Sequence, residues 1–188
     1  MAPTRTVFAL GLLLAASGPA ISCGGDDDPA APECPLPACP VDVSGLDLTT
    51  PSVSFETEVL PLFRRSCTFS SCHGSPTDGK AKLYLGPKKS DTGTTIDSAF
   101  RQQLIDGLVD VASQTAPEMD LVEAGDPDKS FLMLKVDGCH NEAGLTCKTQ
   151  TGSKSKKPCG DVMPQNGVLC AEDRDLLRRW IAQGAQND

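Results

Sequence analysis

Nine cysteines in a chain of 188 residues constrain its fold more than any other feature. In a reducing compartment so many thiols in one small domain have no structural use, whereas outside the cytoplasm they can pair. The amino terminus supplies a route out. Arg5 gives a positive start, and Val7 through Ala20 form an apolar run of export-signal length, too short and too marked by Gly and Pro to span a bilayer as a helix.

The run closes on Ala20-Ile21-Ser22-Cys23, followed by Gly24-Gly25. Small residues directly before a cysteine are similar to a bacterial lipobox, with Ala20 where leucine is usual. Residues 1–22 therefore read as a lipoprotein signal peptide, and Cys23 as the lipidated first residue of the mature chain. The expected location is the periplasmic or cell-surface side of a bacterial membrane, reached through that anchor. An ordinary cleaved signal with Cys23 incidental is the alternative. Setting Cys23 aside leaves eight cysteines, an even number that suits bridges, thioether bonds to a cofactor, or both.

The formal net charge of −8 argues against nucleic acid as a partner, because phosphate binding needs clustered positive charge. Basic residues gather at Lys80, Lys82, Lys88 and Lys89, and again at Lys148, Lys154, Lys156 and Lys157. Two solvated loops account for them; a docking rim for an acidic redox partner is the sharper hypothesis, and binding that stays flat across a salt titration would exclude it.

Residues 23–50 are rich in Asp and Pro with little apolar periodicity, and read as a disordered tether in which Cys34 and Cys39 close a small local loop. The folded domain is expected over 51–188, a length suited to one core. Phe55, Val59, Leu62 and Phe63 recur at helical spacing after a capping Ser54, with a kink at Leu60-Pro61. Ile96, Ala99, Phe100, Leu104, Leu108 and Val111 make a second helical stripe. Asp126-Pro127 opens a third helix, apolar almost all round through Phe131-Leu132-Met133-Leu134. The last helix is expected from Ala171 to Gln183, with Leu176, Leu177, Trp180 and Ile181 inward, Arg174, Arg178 and Arg179 outward, and Gly184 ending it. No alternating strand pattern competes, so the fold class is mainly α.

Cys67-Thr68-Phe69-Ser70-Ser71-Cys72-His73-Gly74 carries the chemistry. Covalent haem attachment needs two thiols to add to the vinyl groups and an imidazole beneath the iron, and a histidine adjacent to the second cysteine supplies that geometry. The usual motif has two residues between its cysteines; here there are four, so the extra residues must bulge outward. A Cys67–Cys72 disulfide with His73 exposed is the competing reading. The preceding amphipathic helix favours haem.

With Phe55-Glu56-Thr57-Glu58-Val59-Leu60-Pro61-Leu62-Phe63, Cys72-His73-Gly74, Gly125-Asp126-Pro127 with Ser130, Met163-Pro164, and Trp180-Ile181 with Gly184-Ala185, the chain from about Val53 to Asn187 resembles a class I cytochrome c, and more closely the planctomycete-type cytochrome c domains. The resemblance implies a cytochrome c-like helical domain and a one-electron carrier with one haem c and histidine/methionine ligation. Met119, Met133, Met163 and His140 are the candidates for the second axial ligand. Met163 fits best, lying in a loop before Pro164 at the distance from the last helix that the family leads one to expect; His140, read as exposed, is the runner-up. A Cys159–Cys170 bridge would brace that loop and Cys139–Cys147 would close the neighbouring one. Nothing in the sequence marks an acid–base dyad, so an electron carrier is expected rather than an enzyme. The alternatives are a haem enzyme or sensor with an open axial site, and a non-haem surface lipoprotein stapled by disulfides. With only His73 and His140 available and no second metal-spaced cysteine pair, zinc is disfavoured.

Overall fold

The computed structural model describes residues 34–148, 153–165 and 167–188. The expected signal peptide over 1–22, the expected anchor at Cys23 and the first part of the expected tether lie outside the described residues. Among the described residues there are four α-helices, only isolated β-bridges, and no helix long and apolar enough to cross a membrane. The mainly α expectation holds.

The first helical segment begins as a single wide turn, Phe55–Val59, in π geometry and continues as α1, Leu60–Ser66. Ser54 caps it twice over: its hydroxyl accepts from the Thr57 amide at 3.2 Å, and its own amide donates to the Glu58 carboxylate at 2.9 Å. Pro61 stands in the first turn of α1, where its missing N–H breaks no helical bond, so the expected kink takes the form of a change from π to α winding.

α2 spans Ser98–Asp106 and is capped by Asp97, whose carboxylate accepts from the Phe100 amide at 2.8 Å. It stops five residues short of the expected Val111. Gly107 takes the C-cap, and Val109 and Ala112 turn instead to bridges with Val122 and Asp120. Asp126 caps a short 3₁₀ turn at Pro127–Lys129, which leads into α3, Phe131–Asp137. α4 spans Ala171–Ala182 with Cys170 at its N-cap.

The core joins α1 to α4 through three aromatic rings. Phe55 stacks on Trp180 with centroids 5.5 Å apart, and Phe63 meets both edge-on at 6.3 and 6.4 Å. All three are essentially inaccessible to solvent, and burying side chains of this size contributes about 2–3 kcal/mol each. Leu62, Leu104, Leu108, Val122, Val136, Leu177 and Ile181 complete the cluster, which puts Trp180, Leu177 and Ile181 inward as their spacing predicts.

Two expectations fail at the other face of α4. Arg174 and Arg178, read as outward, are buried, at 6% and 3% relative exposure. Both reach Asp137 at the end of α3: Arg178 Nη2 lies 2.6 Å from one carboxylate oxygen, and Arg174 Nε lies 3.4 Å from the other. Arg178 also pairs with Asp175 at 2.8 Å. The second failure explains the first. Residues 34–50 are not a free tether, because disulfides Cys34–Cys170 and Cys39–Cys139 fasten this segment to α4 and to the end of α3. Arg174 Nη1 donates to the Pro35 carbonyl at 3.3 Å, Arg179 Nε to that of Asp47 at 3.2 Å, and the Gln183 amide to those of Leu48, Thr49 and Pro51. A helix packed on one side by the core and on the other by a strapped segment has little solvent face left for its arginines.

The six cysteines expected in bridges are all bridged, but with different partners. Cys159 joins Cys147, not Cys170. Cys139 joins Cys39, not Cys147, and Cys34 joins Cys170, not Cys39. Nearest-neighbour pairing favours short closed loops, whereas two of the observed bridges close 100 and 136 residues. Long closures take more entropy from the unfolded chain.

Candidate functional site

α1 ends at Ser66, and the chain then turns back on itself through the eight residues Cys67–Gly74. The turn is held by its own backbone. The Cys72 and Gly74 amides donate to the Phe69 carbonyl at 2.9 and 3.3 Å, and the His73 amide donates to that of Cys67 at 3.1 Å. Thr68 anchors it from inside, its single O–H shared between the carbonyls of Arg64 and Pro87 at 3.2 and 3.1 Å. Gly74 is required by close approach: a Cβ there would lie 2.1 Å from the Thr68 carbonyl oxygen. The long spacer emerges as an exposed bulge over Phe69, Ser70 and Ser71, with Phe69 44% exposed.

Cys67 and Cys72 are both free thiols, so the competing Cys67–Cys72 bridge is not formed. Burial of its sulfur against the core pushes the Cys67 thiol up to about 12, with the neighbouring Cys72 adding to the rise and Arg65 opposing it. It is a neutral thiol at physiological pH. The His73 ring is oriented by Nδ1, 3.1 Å from the Leu83 carbonyl oxygen. A carbonyl can only accept, so Nδ1 carries the proton and Nε2 is the lone-pair nitrogen. Burial lowers the basicity of this imidazole, the carbonyls of Leu83 and Lys80 oppose that, and the charge of Lys135 lowers it further. Burial thus favours the neutral ring, the form that a metal ligand needs. Backbone bonds from Leu85 to the His73 carbonyl and from Lys80 to the Cys72 carbonyl, at 3.0 and 2.9 Å, pin the following loop against the motif.

That loop makes a left-handed turn at Ala81 and Lys82, with φ of 53° and 55°. It brings exposed Lys80 and Lys82 to the His73 side of the bulge, while exposed Lys88 and Lys89 lie beside Thr68 at its other side, where Arg64 Nη2 holds the Lys88 carbonyl at 3.1 Å. The first of the two basic groups thus borders the cysteine–histidine motif.

The candidates for a second ligand separate cleanly. Met133 is core, at 3% exposure. Met119 belongs to a turn closed by the Ser113 amide on its carbonyl at 2.8 Å. His140 is buried at 2% exposure rather than exposed as its polar neighbours suggest. Its two ring nitrogens face the carbonyls of Leu134 and Gly160, at 3.3 and 3.0 Å. Burial lowers the ring's basicity, and a neutral imidazole can donate to only one of these carbonyls; the other nitrogen is nonetheless covered by backbone, so His140 packs as a structural wedge. Met163 is partly exposed in its loop, and its amide donates to the Lys135 carbonyl at 3.1 Å.

The Met163 loop rests on α3 through residues that the sequence reading passed over. Lys135 Nζ donates to the carbonyls of Cys159, at 2.9 Å, and Asp161. Asn141 donates to the Gly160 carbonyl and accepts from the Cys159 amide, both at 3.0 Å. The Asp161 carboxylate gathers the loop around itself, accepting from the amides of Lys154 and Ser155 at 2.9 and 2.7 Å, from the Ser153 hydroxyl at 3.0 Å and from the Gln165 amide at 2.7 Å. A usable signal for Lys135 was present: it is the one cation in an otherwise apolar run, Phe131-Leu132-Met133-Leu134-Lys135-Val136.

Burial alone would push the Asp161 carboxyl up, but these hydrogen bonds outweigh it and hold it below its ordinary value. A carboxyl lowered in the folded state contributes stability that is complete above the unfolded value and is lost as pH falls through the folded one. The thermal midpoint of Asp161→Asn should therefore fall below that of the unaltered protein at about pH 6, and the gap should close as the pH is taken below about 4. A gap of constant size across that range would show that the carboxylate charge is not what orders the loop.

Comparison with protein-family models, with curated proteins and with solved structures finds no match to this chain.

Proposed function

We propose that this is an exported c-type cytochrome: an electron carrier, not an enzyme, with one haem c joined to Cys67 and Cys72 and with His73 and Met163 as its axial iron ligands. The observation that carries the reading is the motif's own chemistry. Two thiols remain free in a chain whose other six described cysteines are all bridged, and the imidazole that follows them is fixed by a backbone carbonyl with Nε2 as its lone-pair nitrogen. Gly74, which has no room for a side chain, lets the strand after the histidine leave closely.

When bound, the haem supplies a reversible one-electron couple at iron. The protein's part is to hold and to exclude. Cys67 and Cys72 fix the position of the group, His73 orients by its Leu83 bond, and Met163 is presented from a loop pinned to α3. Thioether ligation of this kind favours the ferrous state. The exposed lysines bordering the motif suit an acidic redox protein as the partner, and the same reading includes a lipid on Cys23 holding the domain at the membrane.

The test is direct. Expressed with a cytochrome-maturation system, the full chain should keep a covalent haem stain after denaturing electrophoresis, and Cys67→Ser/Cys72→Ser should abolish it. A colourless product from the unaltered chain would overturn the assignment. One observation favours a second reading, a disulfide-stapled surface lipoprotein without haem. Three bridges already fasten both ends of the domain, so the fold has staples that do not depend on a cofactor. The same stain decides between them.

A further inference from the structure

We infer that Lys135 is the positioning residue for Met163, a clamp on α3 that grips the ligand loop at both ends. The inference rests on the proposed haem site. Its side chain holds the loop's beginning, through the carbonyls of Cys159 and Asp161, while its backbone carbonyl holds the loop's end, accepting from the Met163 amide at 3.1 Å. No other described residue bonds to the loop both through its side chain before Met163 and through its backbone at Met163 itself. Lys135 is half-buried, its ammonium lies 5.8 Å from the centre of the Phe131 ring, and burial pulls it down to about 8 with Asp161 opposing.

The arrangement is costly unless it does something. An exposed lysine loses nothing, whereas a half-buried one held by two carbonyls gives up hydration and rotamer freedom. What is obtained is registration. Cys159 is tied to Cys147, and the segment after it turns through Gly160 (φ 77°) over His140 and Asn141. Without the ammonium, two carbonyls that face α3 lose their donor, and the loop keeps its contacts to residues 140 and 141, the Cys147–Cys159 bridge and the single backbone bond from Met163 to α3. A thioether is a weak ligand, so its bond to iron depends on how narrowly the loop confines it.

The experiment uses the haem-loaded full chain and reads coordination rather than turnover. The unaltered protein should be low-spin in both oxidation states and closed to carbon monoxide, and Met163→Ala should open it. Lys135→Met should keep its covalent haem and helix content but bind carbon monoxide about tenfold or more tightly, since a lost charged hydrogen bond of this kind is worth about a factor of ten. Lys135→Arg, whose guanidinium can still span both carbonyls, should restore the closed state. Should Lys135→Met lose its helix content, Lys135→Gln, which keeps one donor, is read in the same way. A Lys135→Met or Lys135→Gln protein as closed to carbon monoxide as the unaltered one overturns the clamp. An unaltered chain with no covalent haem, or a Met163→Ala protein that stays closed, overturns the underlying site instead, and the three failures are distinct.

Discussion

Asp137→Asn should lower the stability of the domain by about 3–5 kcal/mol, read as a fall in the urea midpoint at unchanged slope. The magnitude follows from what the substitution leaves behind. Asp137 is buried at the end of α3, faces the guanidinium groups of Arg174 and Arg178, and has one oxygen that makes an ion pair but no hydrogen bond. Burial raises its carboxyl and the two cations oppose the rise. An amide there would leave two desolvated guanidiniums with only Asp175 as a full counter-charge. Against a typical total of about 5–15 kcal/mol, this is a large fraction. The informative control replaces the whole trio by apolar residues of similar volume, which should cost far less than the single change. A loss under about 1 kcal/mol for Asp137→Asn would mean that water screens the cluster.

The second large effect belongs to the Cys39–Cys139 bridge. Cys39→Ser/Cys139→Ser should cost about 4–5 kcal/mol in the oxidised protein, because the bridge closes 100 residues. Cys147→Ser/Cys159→Ser, which opens a separation of only 12, should cost about 3 kcal/mol. Chemical denaturation of both variants under non-reducing conditions measures the pair. The ranking is the sharper part of the prediction, since a larger loss at the short bridge would show that local contacts, not chain entropy, set the contribution. Beyond stability, loss of Cys39–Cys139 should expose the stretch from 35 to 50 to proteolysis, as its remaining ties are the Cys34 bridge and side-chain bonds to α4.

The elements legible in the sequence are those that carry their reasons locally. Ser54 before Phe55, Asp126 before Pro127, and the inward trio Leu177, Trp180 and Ile181 are written within a turn or two of the helices they shape, and each stands where that reading puts it. What escaped depends on partners far along the chain. Arg174 and Arg178 look like a solvent face until Asp137 and the strapped segment are known, and those lie 37 and more residues away. His140 reads as exposed among polar neighbours because the carbonyl that covers it comes from Gly160. The bridges failed in the same way, since spacing favours near pairs and the fold chose distant ones. At the candidate site, Cys67, Cys72 and His73 were legible because their chemistry is contiguous. The clamp on the Met163 loop was not, although a solitary lysine in an apolar helix was its trace.

The Cys34–Cys170 bridge also sets an order in time. The bridge's two cysteines are 136 residues apart, and Cys170 stands at the N-cap of α4. The stretch from 34 onward is therefore synthesised well before the residue that fastens it. Like a drawstring, it is threaded early and tied late.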